Sequence, residues 1–339
     1  MVSTPPRRIL LVCPAFHGYG ESIADALRRA DHHVQSHAYD LNATLGAKVR
    51  TKLMHELPGR LGSEGGRERR RVEMTARAMA ALHDAHPDVV ITVKGDALAT
   101  DYWHAVDASG ARQLLWLYDE LARMQFDDDM LTSRPSIVSY SPHDVASLSR
   151  RGLRTAHVLD AFDHTIAFTP LRSNDVVFVG ARYPERTRIL EGLHQRGVRV
   201  RAYGRDWSHH PFDRLRTWQI SRPDVPSGRD VTRGEAYGIT AGAIGAINSH
   251  TDQDGFTMRT YELPGTGSLQ LIDRPDIDQL YEPGREVLVF RDLDELTEHC
   301  QRAQRDPRWA RGIAEAGRAR TLAHHTFDHR VPQLESAWA

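Results

Sequence analysis

The sequence predicts an α/β protein made of two doubly wound parallel-sheet domains. Three observations carry that reading. Short apolar runs alternate with amphipathic segments, the pattern of parallel strands and crossover helices. The alternation lapses near Ala161–Ser173 and then begins again. The 339 residues suffice for two domains of ordinary size. Sheets of this kind bind ligands at the carboxyl ends of their strands, so two such edges are expected to face one another across a cleft.

In the first series Arg8–Cys13 reads as a strand. A glycine-bearing loop to Gly20 follows, then a helix over 22–30 with Ser22 as N-cap and Ile23, Ala26 and Leu27 on one face. His33–Ala38 is the second strand. Residues 42–66 are irregular and precede an arginine-rich helix over 67–85. Strands over 88–93, 113–117, 137–140 and 155–159 then alternate with helices over 98–109 and 143–151.

The second series opens with a strand over 175–179, closed by Gly180. Its helix starts at Pro184 and stops at Gly197, matching the preference for proline at helix starts and glycine at helix ends. A strand over 198–203 follows, and residues 206–233 are polar with weak periodicity. Strands over 243–248 and 268–272 flank a short helix near 257–263. A strand over 286–290 precedes a helix over 292–305 opened by an Asp292-x-x-Glu295 box, and a helical tail runs from about 308.

Composition narrows the function classes. With 44 basic and 45 acidic residues the net charge is −1, which gives no global pull toward nucleic acid or an anionic membrane. Of the basic residues only Lys48, Lys52 and Lys94 are lysine, leaving 41 arginines. Any anion site must therefore be built mainly from arginine or backbone N–H groups. Two cysteines, Cys13 and Cys300, make no disulfide framework and fit a reducing, cytoplasmic setting. No apolar run approaches the roughly 20 residues of a membrane helix. Ile9–Val12 is too short for a signal peptide and reads as a buried strand.

Several stretches carry candidate chemistry. In Phe16–Ser22, Gly18 and Gly20 let backbone approach a ligand at a helix start, with His17 at a strand's carboxyl end; a tight turn accounts for them equally well. Gly180-Ala181-Arg182-Tyr183-Pro184-Glu185-Arg186 is the corresponding turn of the second series. Its glycine, two arginines and helix start suit a diphosphate, against the alternative of solvated surface arginines. Gly204-Arg205-Asp206-Trp207 offers a further arginine or an aromatic face. Asp254 and Glu262 place two carboxylates across a loop and helix start, and a carboxylate suits the hydroxyls of a ribose. The Arg67–Arg71 cluster, interleaved with Glu64, Glu68 and Glu73, reads as a solvated helix face rather than a nucleic-acid patch. The pairs His32-His33, His209-His210 and His324-His325 lack metal-ligand spacing, so no metal site is expected. No G-x-S-x-G elbow or Walker motif occurs.

Three stretches give the sequence a family likeness: Val177–Arg186, Met258–Gly267 and Leu280–Glu286, followed by the ending His325-Thr326-Phe327-Asp328-His329-Arg330. Weaker echoes occur at Pro87–Gly95 and Ser141–Asp144. Together they resemble the CgeB-like, spore-maturation branch of the GT-B glycosyltransferases, in order over most of residues 85–335.

That resemblance implies a GT-B fold of two Rossmann-like domains and a metal-independent glycosyltransferase. It assigns 1–165 to the acceptor and 172–318 to the nucleotide sugar, with a tail over 319–339 packing back on the first domain. The nucleoside-diphosphate sugar is a co-substrate, and no cofactor is implied. The donor set is Gly180, Arg182, Arg186, Arg205, Gly255, Phe256, Arg259, Thr260 and Glu262. Related retaining enzymes carry E-x7-E; here Asp254-x7-Glu262 has that spacing, with Glu262 on the ribose and Asp254 near the sugar. The first acid is Asp where the family has Glu, and arginines stand where the family pairs Arg with Lys. The acceptor set is Gly18, Tyr19, Lys94, Glu120 and His143. Retention is the expected outcome; for inversion His17 or Asp119 is the best general base. The rival readings are a nucleotide-sugar epimerase or hydrolase of the same fold, and a non-catalytic glycan-binding protein. A modified nucleic-acid base is a variant acceptor, disfavoured by the balanced charge. Residues 40–80 match nothing in the family and are expected to choose the acceptor.

Overall fold

A computed structural model describes residues 5–41, 64–219, 221–250 and 252–338. Most of the irregular stretch 42–66, and with it much of the expected acceptor-choosing segment, lies outside the described residues. The chain forms two compact units, Met1–Leu159 with Phe327–Ala339, and Asp160–Thr326. The sequence places the corresponding boundaries near 165 and 319.

In the first unit β1 (Arg8–Cys13), β2 (His33–Ala38), β3 (Val89–Val93), β4 (Arg112–Trp116), β5 (Ile137–Ser139) and β6 (Thr155–His157) form a parallel sheet in the order β2-β1-β3-β4-β5-β6. Ile9 stands opposite both Val34 and Val89. Neighbours on both sides and helices on both faces explain why β1 after Arg8 and all of β3, Thr92 included, are buried and almost wholly apolar. The helices are α1 (Tyr19–Arg29), α2 (Glu64–Ala85), α3 (Thr100–Ala108), α4 (Asp128–Thr132) and α5 (Pro142–Arg150). Helix α1 begins at Tyr19 rather than at 22. Gly18, at φ 77°, caps it from the left-handed region, and the Ser22 hydroxyl bonds back to the Gly18 carbonyl at 3.4 Å instead of capping.

In the second unit β7 (Val176–Val179), β8 (Val200–Tyr203), β9 (Ser227–Gly228), β10 (Gly245–Asn248), β11 (Gln270–Ile272) and β12 (Leu288–Val289) form a parallel sheet ordered β12-β11-β10-β7-β8-β9. Its helices are α6 (Pro184–Gln195), α7 (Pro211–Thr217), α8 (Arg233–Gly242), α9 (Arg259–Gly265), α10 (Leu293–Arg305) and α11 (Pro307–His324). Val176, Phe178, Leu190, Leu193, Leu271 and Leu296 share one core.

Three expectations change here. The weakly periodic stretch 206–233 holds α7 and β9, and α8 follows it, capped by a reciprocal Thr232–Glu235 box. Residues 161–173 are no loose linker: the Leu171 and Ser173 N–H groups donate to the Gly238 and Gly242 carbonyls at 2.8 and 2.9 Å. Any side chain at Gly242 would strike Leu171 backbone, so the glycines of α8 make room for that segment. The Asp292–Glu295 box is half formed. Asp292 accepts from the Asp294 and Glu295 N–H groups, but the Glu295 carboxylate turns to Arg291.

The last helix, α12 (Val331–Trp338), belongs to the first unit and buries Val331, Leu334, Ala337 and Trp338. It is tied there by His32 Nε2 to Glu335 at 2.9 Å, just after Arg29 Nε donates to Asp328 at 2.9 Å.

Strand progression reverses between β1 and β3 in one sheet and between β7 and β10 in the other. Loops leaving such neighbours diverge, so each sheet has a crevice at those carboxyl ends.

Candidate functional site

In the second unit the reversal point is framed by Gly180, after β7, and by Asn248, Ser249 and His250 at the end of β10. Gly180 has φ 149°, and a Cβ there would lie 2.6 Å from the Arg259 guanidinium. The close approach is possible only because the residue is glycine. Arg259 and Arg186 both lie over the Phe178 ring, at 5.4 and 5.3 Å from its centroid. Arg186 is buried and donates to the Ser249 carbonyl at 2.8 Å and the Ala181 carbonyl at 3.3 Å. Burial, then the charge of Arg259, lowers its pKa to about 10. Two guanidiniums held this close make the strand end electropositive.

A polar chain runs behind this edge. The Asn248 amide donates to Gln270 Oε1 at 2.9 Å and to the Thr260 hydroxyl at 3.2 Å. Thr260 Oγ1 meets His250 Nε2 at 3.0 Å, and His250 Nδ1 meets Asp273 at 3.3 Å. An ionised Asp273 can only accept, so the imidazole proton sits on Nδ1 facing it, and Nε2 accepts from the Thr260 hydroxyl. Burial pushes the His250 pKa down, with Asp273 acting partly against it. Burial opposes ionisation of Asp273, but hydrogen bonds from the His250 side chain and backbone outweigh it and hold the carboxyl below its ordinary value. The pair is a neutral imidazole on a carboxylate.

The loop before α9 is braced by Arg274. Its guanidinium donates to the Gln253 and Asp254 carbonyls at 2.7 and 2.8 Å, pairs with Asp276 at 2.6 Å and lies 4.6 Å over the Phe256 ring. Gly255 and Phe256 are buried and Asp254 is exposed. On α9 the half-buried Glu262 accepts the Tyr237 hydroxyl at 2.9 Å.

The structure thus gathers Gly180, Arg186, Arg259 and Thr260 around one strand edge. Arg186 and Thr260 are inward-facing there, engaged with backbone and side chains. Arg182 points to Gln219, at 2.6 Å, and Arg205 pairs with Asp230 at 2.8 Å on an exposed surface. Sequence reasoning missed Tyr237, Asn248, His250, Asp273 and Arg274. His250 and Asp273 stand just past the ends of β10 and β11, so the strand-end rule that picked out His17 would have found them.

In the first unit the corresponding edge holds three non-glycine residues in the left-handed region: His17 at φ 44°, Lys94 at 60° and Tyr118 at 56°. They follow β1, β3 and β4, which are adjacent strands. Such conformations cost about 1–3 kcal/mol each and concentrate where geometry serves a ligand. Lys94 Nζ donates to Asp119 at 2.8 Å, and Asp119 accepts the Glu120 N–H at 3.0 Å. Glu120 is buried and lies 3.4 Å from Arg123. Tyr19 is buried with its ring 6.1 Å from that of Tyr118. His143 is exposed on the first turn of α5, beside Asp144, which accepts the Leu121 N–H at 2.8 Å. Among the described residues no three His, Cys, Asp or Glu side chains gather to hold a metal ion. No helix among them is long and apolar enough to cross a membrane.

Residues 182–336 match the family model described as "Glycosyl transferase-like". No curated protein sequence matches the chain. Among solved structures the chain is similar to sucrose-phosphate synthase from Thermosynechococcus elongatus, at 14% identity and a TM-score of 0.64, covering 97% of this chain and 98% of that one. It is also similar to Anabaena Alr3699/HepE in complex with UDP-glucose, at 12% identity and a TM-score of 0.63, covering 97% and 99%. A putative UDP-N-acetylglucosamine 2-epimerase from Listeria monocytogenes aligns at 11% identity and a TM-score of 0.57, covering 98% and 95%. These likenesses show the GT-B fold.

Proposed function

Starting from that fold, we propose that this chain is a glycosyltransferase of the CgeB-like branch that moves a sugar from a nucleoside-diphosphate donor to a hydroxyl-bearing acceptor. The observation that carries the reading is the edge at Gly180, where Arg259 and Arg186 meet on Phe178, with Glu262 one turn further along the helix that carries Arg259. In this proposal Arg259 takes the diphosphate, Arg186 holds the loop that receives it, and Glu262, oriented by Tyr237, accepts from the ribose hydroxyls. Positive charge fixed at the leaving diphosphate is the electrostatic contribution that such chemistry needs most. The first unit takes the acceptor at His17, Lys94, Asp119 and Glu120, without a metal ion, and the sugar is transferred with retention.

The HepE structure contains UDP-glucose, so UDP-sugars head the panel. A thermal-shift series with UDP-, GDP- and dTDP-sugars should raise the melting temperature for one nucleotide class, and Arg259→Ala should abolish that rise. Absence of any shift with all three classes would overturn the reading. The likeness to a 2-epimerase supports a second reading, conversion of the nucleotide sugar without an acceptor. Product analysis with donor alone separates the two, because a transferase leaves the sugar's configuration intact.

A further inference from the structure

We propose that the second unit carries a docking face for an anionic lipid bilayer, formed by α7 and the turn that follows it. Among the described residues eight large hydrophobic side chains are exposed, and three of them fall within seven positions: Phe212 at 56%, Leu215 at 66% and Trp218 at 71%. Phe212 and Leu215 stand three apart on one side of the short helix, and Trp218 is the residue that ends it. Trp218 sits in the left-handed region at φ 56°, a conformation that bulky residues rarely adopt, and the turn leaves its indole in solvent. Such a conformation is costly, and most of the indole it presents stays uncovered by the chain.

Charge identifies the occupant. From Pro211 to Arg222 the basic residues are Arg214, Arg216 and Arg222, and the one acid is Asp213. Asp213 is 2% exposed and faces inward, where Arg229 and the Ser208 hydroxyl donate to it at 2.9 and 2.7 Å. The outward surface is therefore apolar and cationic. Arg222 donates to the Ser208 carbonyl, the Thr217 hydroxyl and Gln219, and Gln219 also accepts from Arg182. Burial lowers the Arg222 pKa first, followed by the charges of Arg182 and Arg214, with Asp206 and Asp213 acting against them. Phe, Leu and Trp beside arginine is the composition that settles into a headgroup region, with the indole at the interface and the guanidiniums on lipid phosphate. The overall charge of −1 conceals this local surplus. The Arg182–Gln219 bond places the face next to the turn after Gly180.

The test is co-sedimentation of the full chain with vesicles of phosphatidylcholine alone or containing about 30% phosphatidylglycerol. Partitioning should rise at least about tenfold on the anionic vesicles, since each arginine near such a surface contributes about fivefold, and should fall in half-molar salt. The triple variant Phe212→Ser, Leu215→Ser, Trp218→Ser should lose that partitioning with an unchanged melting curve, because all three side chains are exposed. The double variant Arg214→Gln, Arg216→Gln should lose most of the preference for anionic vesicles. Equal binding to both vesicle types, binding to neither, or undiminished binding by the triple variant would overturn the proposal. So would a concentration-dependent dimer that the triple variant abolishes, which would assign the face to a second copy of the chain.

Discussion

The hydroxyl of Tyr237 donates to the carboxylate of Glu262 at 2.9 Å, joining the middle of α8 to the first turns of α9. The bond fixes the rotamer of an acid that is otherwise half in solvent. Tyr237→Phe should therefore weaken binding of the nucleotide sugar by about fivefold, the value of one hydrogen bond. Glu262→Ala should weaken it by at least tenfold while the protein stays folded. Titration calorimetry measures both, and unchanged donor affinity in the Glu262 variant would remove the ribose assignment.

Arg186 and Arg259 lie on the same ring but should respond to mutation in opposite ways. Arg186→Met leaves the carbonyls of Ala181 and Ser249 without their donor and should cost roughly 2 kcal/mol of stability, a fall of about 4–8 °C in melting temperature. Arg259→Ala should leave melting nearly unchanged and abolish the stabilisation given by donor. Gly180→Ala, which pushes a methyl group against the Arg259 guanidinium, should mimic Arg259→Ala in binding assays.

His250 makes stability depend on pH. Its folded pKa lies below the ordinary 6.5 because burial disfavours the imidazolium, so the unfolded chain binds more protons than the folded one. The stability it contributes is present above about pH 6.5 and is lost as the pH falls below it. His250→Asn should lower the melting temperature at pH 7.5 and flatten its decline toward pH 5.5. A parallel decline in wild type and variant would exclude His250 as the cause.

His17 is exposed and held at φ 44°. His17→Gly relieves the strained backbone, so thermal stability should hold or rise by about 1 kcal/mol. If the imidazole serves the acceptor, transfer should fall about a hundredfold or more without loss of donor affinity. A variant with full transferase activity would confine His17 to shaping the turn.

The strands and most helices were legible because a parallel strand buried on both faces must be apolar, and because proline and glycine mark the ends of α6. The Gly180 turn was legible for the same reason. Helix α8 was not, since its glycines and polar residues look like loop until the segment 161–173 is seen lying on them. The pairs Lys94–Asp119, Tyr237–Glu262 and His250–Asp273 were illegible as pairs. Each joins residues more than twenty positions apart, brought together by the sheet order in two cases and by the packing of α8 on α9 in the third. Arginine content alone does not say which arginine meets a ligand: Arg186, offered after Arg182 as a diphosphate partner, donates to the Ala181 and Ser249 carbonyls.

The return of α12 to the first unit bears on biosynthesis. Residues emerge from the ribosome in order, so the first sheet is made early while Leu334 and Trp338, which pack into the same unit, appear only after the second unit. His32 waits for Glu335 until the entire second unit has been translated. The first unit should thus persist as an incompletely closed intermediate on the ribosome, and a chain cut after Thr326 should expose the apolar surface that α12 covers and bind chaperones or aggregate.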